Sequence, residues 1–409
     1  MTQPCAVTDW TAEAVRRHIA ALCPALEAET VPLATAAGRR LRQTVVAPED
    51  QPAFDRSAMD GFAIRQDDPG PRFRVVDCLR AGDWRPRTLQ RGEAVAIATG
   101  AALPGPNLQV VPREYVEDRG DHITVRHRPT ESFIRPRGQD ARAGSVLVPA
   151  GTALSPGALA LLASVGHVHP LVTRRPRVWH LVTGNELVDP AETPGPGQIR
   201  DSNSTLVRTF LAGWDVVPHQ LRLPEDEQAA RTALQPLQSS TPPVDLLLLS
   251  GGASVGPHDF TRRLLEHCGF EILLHKVRTR PGRPLIVARR GQALAFGLPG
   301  NPLAHFVCLQ LYVRTALLAW DGAPVVPEPW QIALLQQPVQ TEPGPYEVFW
   351  PARWEIGRRG QIELVPLPWQ SSGDLTPLAT ANALLRLPPQ TAQLDPGTEV
   401  EFLPASPFL

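Results

Sequence analysis

The sequence predicts a multidomain α/β protein, with a parallel α/β domain flanked by small β-rich domains. Three observations predict it. The chain has 409 residues, too many for one hydrophobic core, so two to four domains are expected. From about residue 175 to 320, strand-like and helix-like patterns alternate, as in a parallel sheet covered by helices. On either side lie short alternating apolar runs separated by Gly and Pro, which read as small β domains. A hydrophobic content of 43% and a charged content of 20% are ordinary for a globular chain.

The elements follow in order. Residues about 9–22 read as a helix, with Val15, Ile19 and Leu22 on one stripe. Residues 55–143 carry the runs RFRVVDCL, EAVAIATG, LQVVPREYVE and HITVRHR, a small β-rich domain. Residues 144–174 give a strand, a turn and a helix at about 156–165. Neither this piece nor the N-terminal helix makes a core alone. The two are therefore expected to pack together, as one domain built from 1–54 and 144–174. The α/β domain spans 175–322. Its strands are RVWHLVTG, DVVPHQLRL, DLLLLSGG, EILLHKV, PLIVAR and ALAFGLPG, and a long helix in NPLAHFVCLQLYVRTALLAW closes it. Residues 323–409 return to short β runs, a small barrel or sandwich. The 45 prolines are roughly twice the usual ~5% and punctuate the chain with rigid turns.

Composition excludes several classes. The net charge of −1 provides no global basic field for nucleic acid or an anionic membrane. The five cysteines are scattered, which argues against a disulfide framework or zinc site and suits a reducing compartment. The N-terminus MTQPCAVTDW lacks the basic and apolar parts of a secretory leader. The stretches LSPGALALLASVGHVHPLV and AHFVCLQLYVRTALLAW are interrupted by Gly, Pro and His or by Arg314, so neither reads as a spanning helix. A cytoplasmic protein without nucleic-acid or membrane partners is expected.

Four segments in the α/β domain carry candidate chemistry. In LLLLSGGASVGPHDFTRR a buried strand ends, a small-residue loop runs from Ser250 to Gly256, and a helix begins. Backbone N–H groups of such a loop, with a helix N-terminus, can cradle an anion. The spacing is neither the Walker pattern nor GxGxxG, and a ligand-free tight turn is the plain alternative. VTGNEL brings Thr183, Gly184, Asn185 and Glu186 to the same sheet rim, where ligands of open α/β sheets bind. In GQIRDSNS, residues Asp201, Ser202 and Asn203 can simply cap the next helix. GLPGNP (Gly297 to Pro302) is a third small-residue loop at a strand end. Three such loops on one edge are harder to explain as chance turns than one.

HKVRTRPGRP adds Lys276, Arg278, Arg280 and Arg283, which suit a phosphorylated or oxyanionic ligand, though a solvated basic turn has the same look. Lys276 is the only lysine among 40 Lys and Arg residues. An ammonium is a compact point charge and a guanidinium a planar fork, so the single lysine points to a position that needs a compact charge against an anionic ligand. In the small β domain, PAFDRSAMDGFAI sets Asp55 and Asp60 around Arg56: two carboxylates for Mg²⁺, or a salt-bridged turn. IATGAALP places Thr99 and Gly100 at a strand end of the same domain.

Taken together, these segments resemble the molybdopterin molybdenumtransferase family, called MoeA in bacteria and the gephyrin E domain in animals. PAFDRSAMDGFAI resembles the family's PPFDxSAMDGYA, IATGAALP its MTGAxxP, and RPRGQD its RxxGED. VTGNEL resembles STGDEL, GQIRDSN resembles GxIxDSN, and SGGASVGPHDFT resembles SGGVSVGxxDYT. RTRPGRP resembles MKPGKP, GLPGNP is identical, and QSSGDLTPLATANAL resembles GSGxLxSLAxANGL. The order matches nearly end to end.

The resemblance implies an elongated, L-shaped protomer with a C-terminal β-barrel. It also implies a homodimer in which the α/β domain of one subunit faces the DRSAMDG-bearing region of the other. The implied reaction inserts molybdate into adenylylated molybdopterin with Mg²⁺-assisted release of AMP, giving molybdenum cofactor. The implied catalytic residues are Asp60, Thr99, Glu186, Asp259, Lys276 and Arg280. Asp60, Glu186 and Asp259 would hold Mg²⁺. Substrate would lie along Thr183, Gly184, Asn203, Ser250, Gly251, Gly252, Ser254 and Gly256, then Arg283, Pro299, Gly300, Asn301, Pro302 and Ser371. Contact with a molybdopterin adenylyltransferase is a further implied partner. The chain departs from the pattern at Phe133, Asn185, Glu225 and Trp350. PYEVFWPARW lacks the arginine of the family's GRxxFxR, and Trp350 and Pro351 stand there, which bears on substrate detail. A non-catalytic scaffold and a different pterin-domain activity, adenylylating molybdopterin or hydrolysing a pyrophosphate, are the competing readings. The retained Asp60, Glu186, Asp259 and Lys276 argue against the first, and the extra domains against the second.

Overall fold

The computed structural model describes residues 10–224, 226–238, 243–251, 260–324 and 329–405. It divides into two compact units, residues 30–172 and residues 1–29 with 173–409. Helix α1 (Ala12–Leu22) is capped by Thr11, whose hydroxyl oxygen accepts from the Ala14 N–H at 3.2 Å. Its stripe buries Ala12, Val15 and Ile19 completely.

The unit of residues 30–172 is built on six strands: β1 (Gly61–Arg65), β2 (Arg72–Leu79), β3 (Glu93–Ile97), β4 (Leu108–Pro112), β5 (Val116–Asp118) and β6 (His122–Val125). They lie in the order β4-β1-β3-β2-β6-β5. Strand alternation sends Ala63, Val95 and Val110 into one cluster and Phe62, Ile64, Ala94 and Val111 into another. Both faces of the sheet are therefore covered. Helix α2 (Pro156–Ser164) starts at Ser155, which accepts from the Ala158 N–H, with proline at its first position. Leu162 packs it against Leu41, Val45, Val148, Leu154 and Val172.

The second unit contains β7 (Val178–Thr183), α3 (Asn203–Ala212), β8 (His219–Leu223), α4 (Glu227–Ala233), β9 (Leu246–Ser250), α5 (Phe260–His267), β10 (Glu271–His275), β11 (Ile286–Arg290), β12 (Ala293–Leu298) and α6 (Pro302–Asp321). The sheet order is β8-β7-β9-β12-β11-β10. Leu246 and Leu248 face one core and Leu247 and Leu249 the other, which is why LLLL reads as unbroken apolar sequence. The alternating pattern predicts a parallel sheet, and the structure departs from it in one strand. β11 runs antiparallel to β10 and β12. The turn Gly291–Gln292 between paired Arg290 and Ala293 is too short for a crossover.

Helix α6 is long and apolar enough to cross a membrane by length and composition, but 83% of its most apolar window is buried within the protein. A helix apolar all round is the natural centre of a large core. A π-helical stretch spans Leu309–Val313 within it. Helix α1 joins this core beside Leu311, Ala316 and Trp320, and not the cluster around α2 with which it was expected to pack.

Strands β13 (Gln331–Leu335), β14 (Glu347–Ile356), β15 (Ile362–Pro366), β16 (Ala383–Leu387) and β17 (Glu399–Pro404) follow the order β14-β15-β13-β17-β16, and β16 pairs back onto β14. The closed barrel exposes no sheet edge along these pairs. Glu347 joins it to α1. Its carboxylate accepts the Ala12 N–H at the helix N-terminus (3.3 Å) and Arg386 Nε (2.9 Å). The Arg386 guanidinium also lies 4.7 Å above the Trp330 ring.

One glycine tests the small β unit. A Cβ at Gly61 would sit 2.1 Å from the Val111 carbonyl oxygen on the neighbouring strand. Gly61→Ala is expected to destabilise that unit by about 3 kcal/mol. Urea unfolding should show a lower midpoint at unchanged slope.

Candidate active site

One row of paired residues crosses the α/β sheet: Leu221, Leu181, Leu249, Gly297, Ile286 and His275. The five co-directional strands therefore end together, and Thr183, Ser250, Leu298 and His275 mark one rim. The motif loops start from that rim, where an open α/β sheet binds ligands. Gly184 and Gly251 leave it with φ of 146° and 95°. A Cβ at Gly251 would meet the Thr183 carbonyl oxygen at 2.3 Å. Only glycine permits these two strand ends to close up.

The GLPGNP loop is held from three sides. Asn203 Nδ2 donates to the Gly300 carbonyl at 2.7 Å. Asn301 Nδ2 donates to Ser372 Oγ at 2.7 Å, and the Leu303 N–H to the Ser372 carbonyl at 3.0 Å. His305 Nδ1, fully buried, donates to the Pro299 carbonyl at 3.0 Å. Pro302 occupies the first turn of α6, where its missing N–H costs nothing. The structure thus joins three motifs distant in sequence, GQIRDSN, GLPGNP and QSSGD. Asn203 does not cap α3 with its side chain. Asp201 does so, accepting the Ser204 N–H at 3.0 Å.

Behind Ser250 lies a chain of hydrogen bonds that sequence reasoning missed. Arg208 Nε and Nη2 donate to Gln220 Oε1 at 3.1 and 2.8 Å, which orients the amide. Gln220 Nε2 then donates to His180 Nδ1 at 3.0 Å. The imidazole proton must therefore be on Nε2, which donates to Ser250 Oγ at 2.6 Å. Burial, with His305 and Arg208 nearby, pushes the His180 pKa down to about 3. Burial likewise pushes His305 down to about 4, although its bond to Pro299 and the Asp201 charge oppose the shift. Both rings are neutral at pH 7. The available signal was a polar residue inside an apolar run, RVWHLVTG and NPLAHFVC, since a buried polar group demands partners.

A cavity of about 1130 Å³ opens beside the GLPGNP loop. Arg280, Arg283, Pro299, Gly300, Asn301 and Ser371 line it. Arg280 Nη1 is 3.2 Å from the Glu342 carboxylate, both well exposed at the wall. The Arg283 guanidinium lies 5.4 Å from the Tyr346 ring centroid. The residue pair Thr279–Arg280 runs parallel to Glu347–Val348, which anchors the basic loop to the barrel.

Lys276 follows β10 on the rim, half-buried, with φ 74° and its N–H on the Leu285 carbonyl, but it does not line the cavity. Glu186 is exposed, and its carboxylate lies 2.9 Å from where a Gly184 Cβ would be. Gly252, Ser254, Gly256 and Asp259, with the departure at Glu225, lie outside the described residues. In the 30–172 unit, Asp60 Oδ1 accepts from the Thr99 N–H (2.7 Å) and Thr99 Oγ1 (3.1 Å). These bonds, with Arg113 nearby, hold the exposed Asp60 carboxyl below the usual range. Asp55 turns elsewhere, accepting the Arg137 N–H at 2.7 Å, so the two carboxylates of DRSAMDG serve different partners. Among the described residues, no three His, Cys, Asp or Glu side chains gather as a metal cluster.

Fold and motifs define a multidomain α/β transferase built around a molybdopterin-binding type of domain. Family models match in succession: the MoeA N-terminal region (domain I and II) over 10–166, the probable molybdopterin binding domain over 179–319, and the MoeA C-terminal region (domain IV) over 337–405. The chain is 33% identical over 389 residues to a molybdopterin molybdenumtransferase of Bacillus subtilis, covering 92% of this chain and 90% of the relative. It is 30% identical to one from Staphylococcus aureus, with 92% and 91% covered. A crystal structure of a molybdopterin biosynthesis MoeA protein from Pyrococcus horikosii superposes with a TM-score of 0.80 at 27% identity, covering 98% of this chain and all of that one. The chain belongs to the molybdopterin molybdenumtransferase family.

The two buried histidines predict an acid limit. Their folded values of about 3 and about 4 lie below the ordinary 6.5, so the unfolded chain binds more protons between them. Stability is full above pH 6.5 and falls as the pH drops towards 4, by up to about 1.4 kcal/mol per pH unit for each ring. In urea unfolding from pH 7 to 4, His180→Gln should flatten this slope. An unchanged slope in that variant would contradict the assignment.

Proposed function

We propose that the chain inserts molybdate into adenylylated molybdopterin with Mg²⁺-dependent release of AMP. The observation that carries this reading is the cavity that joins a two-arginine wall to the glycine-rich GLPGNP loop, in a chain of this family. Both substrates are anions, a dinucleotide-like pyrophosphate and a tetrahedral dianion. Guanidinium groups suit phosphate oxygens, and a backbone without side chains lets an anion approach closely. A Cβ at Gly300 would have no neighbour nearer than 3.8 Å, so the loop lies open there.

Each residue has an assigned part. Arg280 and Arg283 bind the pyrophosphate, and an incoming anion competes with Glu342 for Arg280. Asn203, His305 and Ser372 hold the Pro299–Asn301 segment in place before substrate arrives, so that binding does not have to order it. Lys276, a compact charge on the same loop as Arg283, is assigned to the reacting oxyanion. Asp60 and Thr99 act as a pre-bonded pair on the small β unit. Glu186 is an all-oxygen donor of the kind Mg²⁺ takes, and it would hold that ion. When bound, Mg²⁺ offsets charge at the phosphate bond that breaks. A second copy of the chain and the adenylyltransferase that supplies the substrate are the proposed protein partners.

The test is AMP release from adenylylated molybdopterin by purified protein, with and without molybdate and Mg²⁺. Wild type should need both. Arg283→Ala should lower kcat/KM by about tenfold or more, the scale of a lost charge-assisted bond. Lys276→Arg should lower kcat by a similar factor with little change in KM. Release that ignores molybdate would make the protein a hydrolase and defeat the proposal. Full activity in Lys276→Arg would remove only that residue's role.

A further inference from the structure

The wall of the cavity opposite in character to its arginines is aromatic. Trp350 and Trp369 both line it, half-buried, with ring centroids 5.6 Å apart and planes at 86°. Trp350 is fixed at its far end, because Nε1 donates to the Leu367 carbonyl at 2.7 Å. It belongs to the long barrel strand β14 and pairs there with Leu385. The indole is therefore held rigidly before any ligand binds. Trp369 stands edge-on to it in the loop that continues to Ser371. Tyr346, with Arg283 over its ring, lies on the same lining and adds a further aromatic face beside the cations.

A cavity with rigid indoles at one wall and guanidinium groups at another is bipolar. Indole surfaces bind flat rings by stacking and edge contacts, which need no matching charge. The volume of about 1130 Å³ exceeds that of a phosphate or molybdate alone, so the anion sites leave space that a larger ligand must fill. We propose that the cavity takes its ligand in one orientation. A flat, fused nitrogen heterocycle lies against Trp350 and Trp369, and the anionic group that it carries lies at Arg280 and Arg283. This inference rests on the proposed function for its substrate, which contains two such heterocycles, a pterin and an adenine. Trp350 and Trp369 are then specificity-determining residues.

The test is isothermal titration calorimetry of the full chain with three probes: 6-hydroxymethylpterin, AMP and inorganic phosphate. At least one heterocyclic probe should bind wild type. Trp350→Leu should weaken that probe by about tenfold or more, the scale of a lost stacking contact. Trp369→Phe retains a ring and perturbs folding less, and it should weaken the same probe by a smaller, measurable factor. Phosphate affinity should change less than twofold in both variants. Dependence on tryptophan for the pterin alone assigns the seat to the pterin, and for AMP alone to the adenine. The proposal is overturned if neither heterocycle binds wild type, if heterocycle binding is unchanged in both variants, or if phosphate weakens equally. Molybdate-dependent AMP release, measured on the same preparations, separates the two failures. Normal release in wild type with tryptophan-independent binding defeats the seat and leaves the function. No release with tryptophan-dependent binding does the reverse.

Discussion

The site depends on one short piece of backbone, Pro299 to Asn301. Its carbonyls and side chain are bonded to three elements at once: Asn203 on α3, His305 on α6 and Ser372 beside the barrel. Each bond between neutral groups contributes about 1 kcal/mol, so none is large alone. Their value is positional. They hold a glycine-containing loop open at the end of a central strand, between the sheet rim and the barrel. The cavity exists because that loop cannot collapse into either.

The same constraint explains the buried histidines. A loop at a strand end has carbonyls that no strand neighbour satisfies, and a buried unsatisfied carbonyl is costly. His305 meets one of them and His180 meets the Ser250 hydroxyl one strand away. Both must be neutral to sit there, and burial makes them so. Gly251 completes the arrangement by permitting contact with Thr183, where any Cβ would meet a carbonyl oxygen at 2.3 Å. The rim is therefore rigid on its protein side and open on its ligand side, which is the condition for binding an anion without reordering the chain.

Much of this was legible in the residues. Unbroken LLLL announced a strand buried on both faces, and the small-residue loops announced strand ends on one rim. The closing helix and the β-rich flanks followed from periodicity. The reversal of β11 was hidden, because a two-residue turn and a short crossover look alike when Gly and Gln are the only cues. The docking of α1 on α6 was hidden as well, since an amphipathic stripe states that a partner exists and not which one. The bond from Asn203 to Gly300 was masked by the readier reading of a helix cap, a task that Asp201 performs. The basic run HKVRTRPGRP pointed to an anion site, and its Arg280 and Arg283 line the cavity, whereas the lone lysine does not.

The central claim is that the anionic part of the ligand sits between this loop and the arginine wall. A crystal structure of the chain with adenylylated molybdopterin bound tests it directly. The account predicts phosphate oxygens within hydrogen-bond distance of the Gly300 or Asn301 backbone and of Arg280 or Arg283. Ligand density elsewhere, with this cavity filled only by solvent, would contradict it.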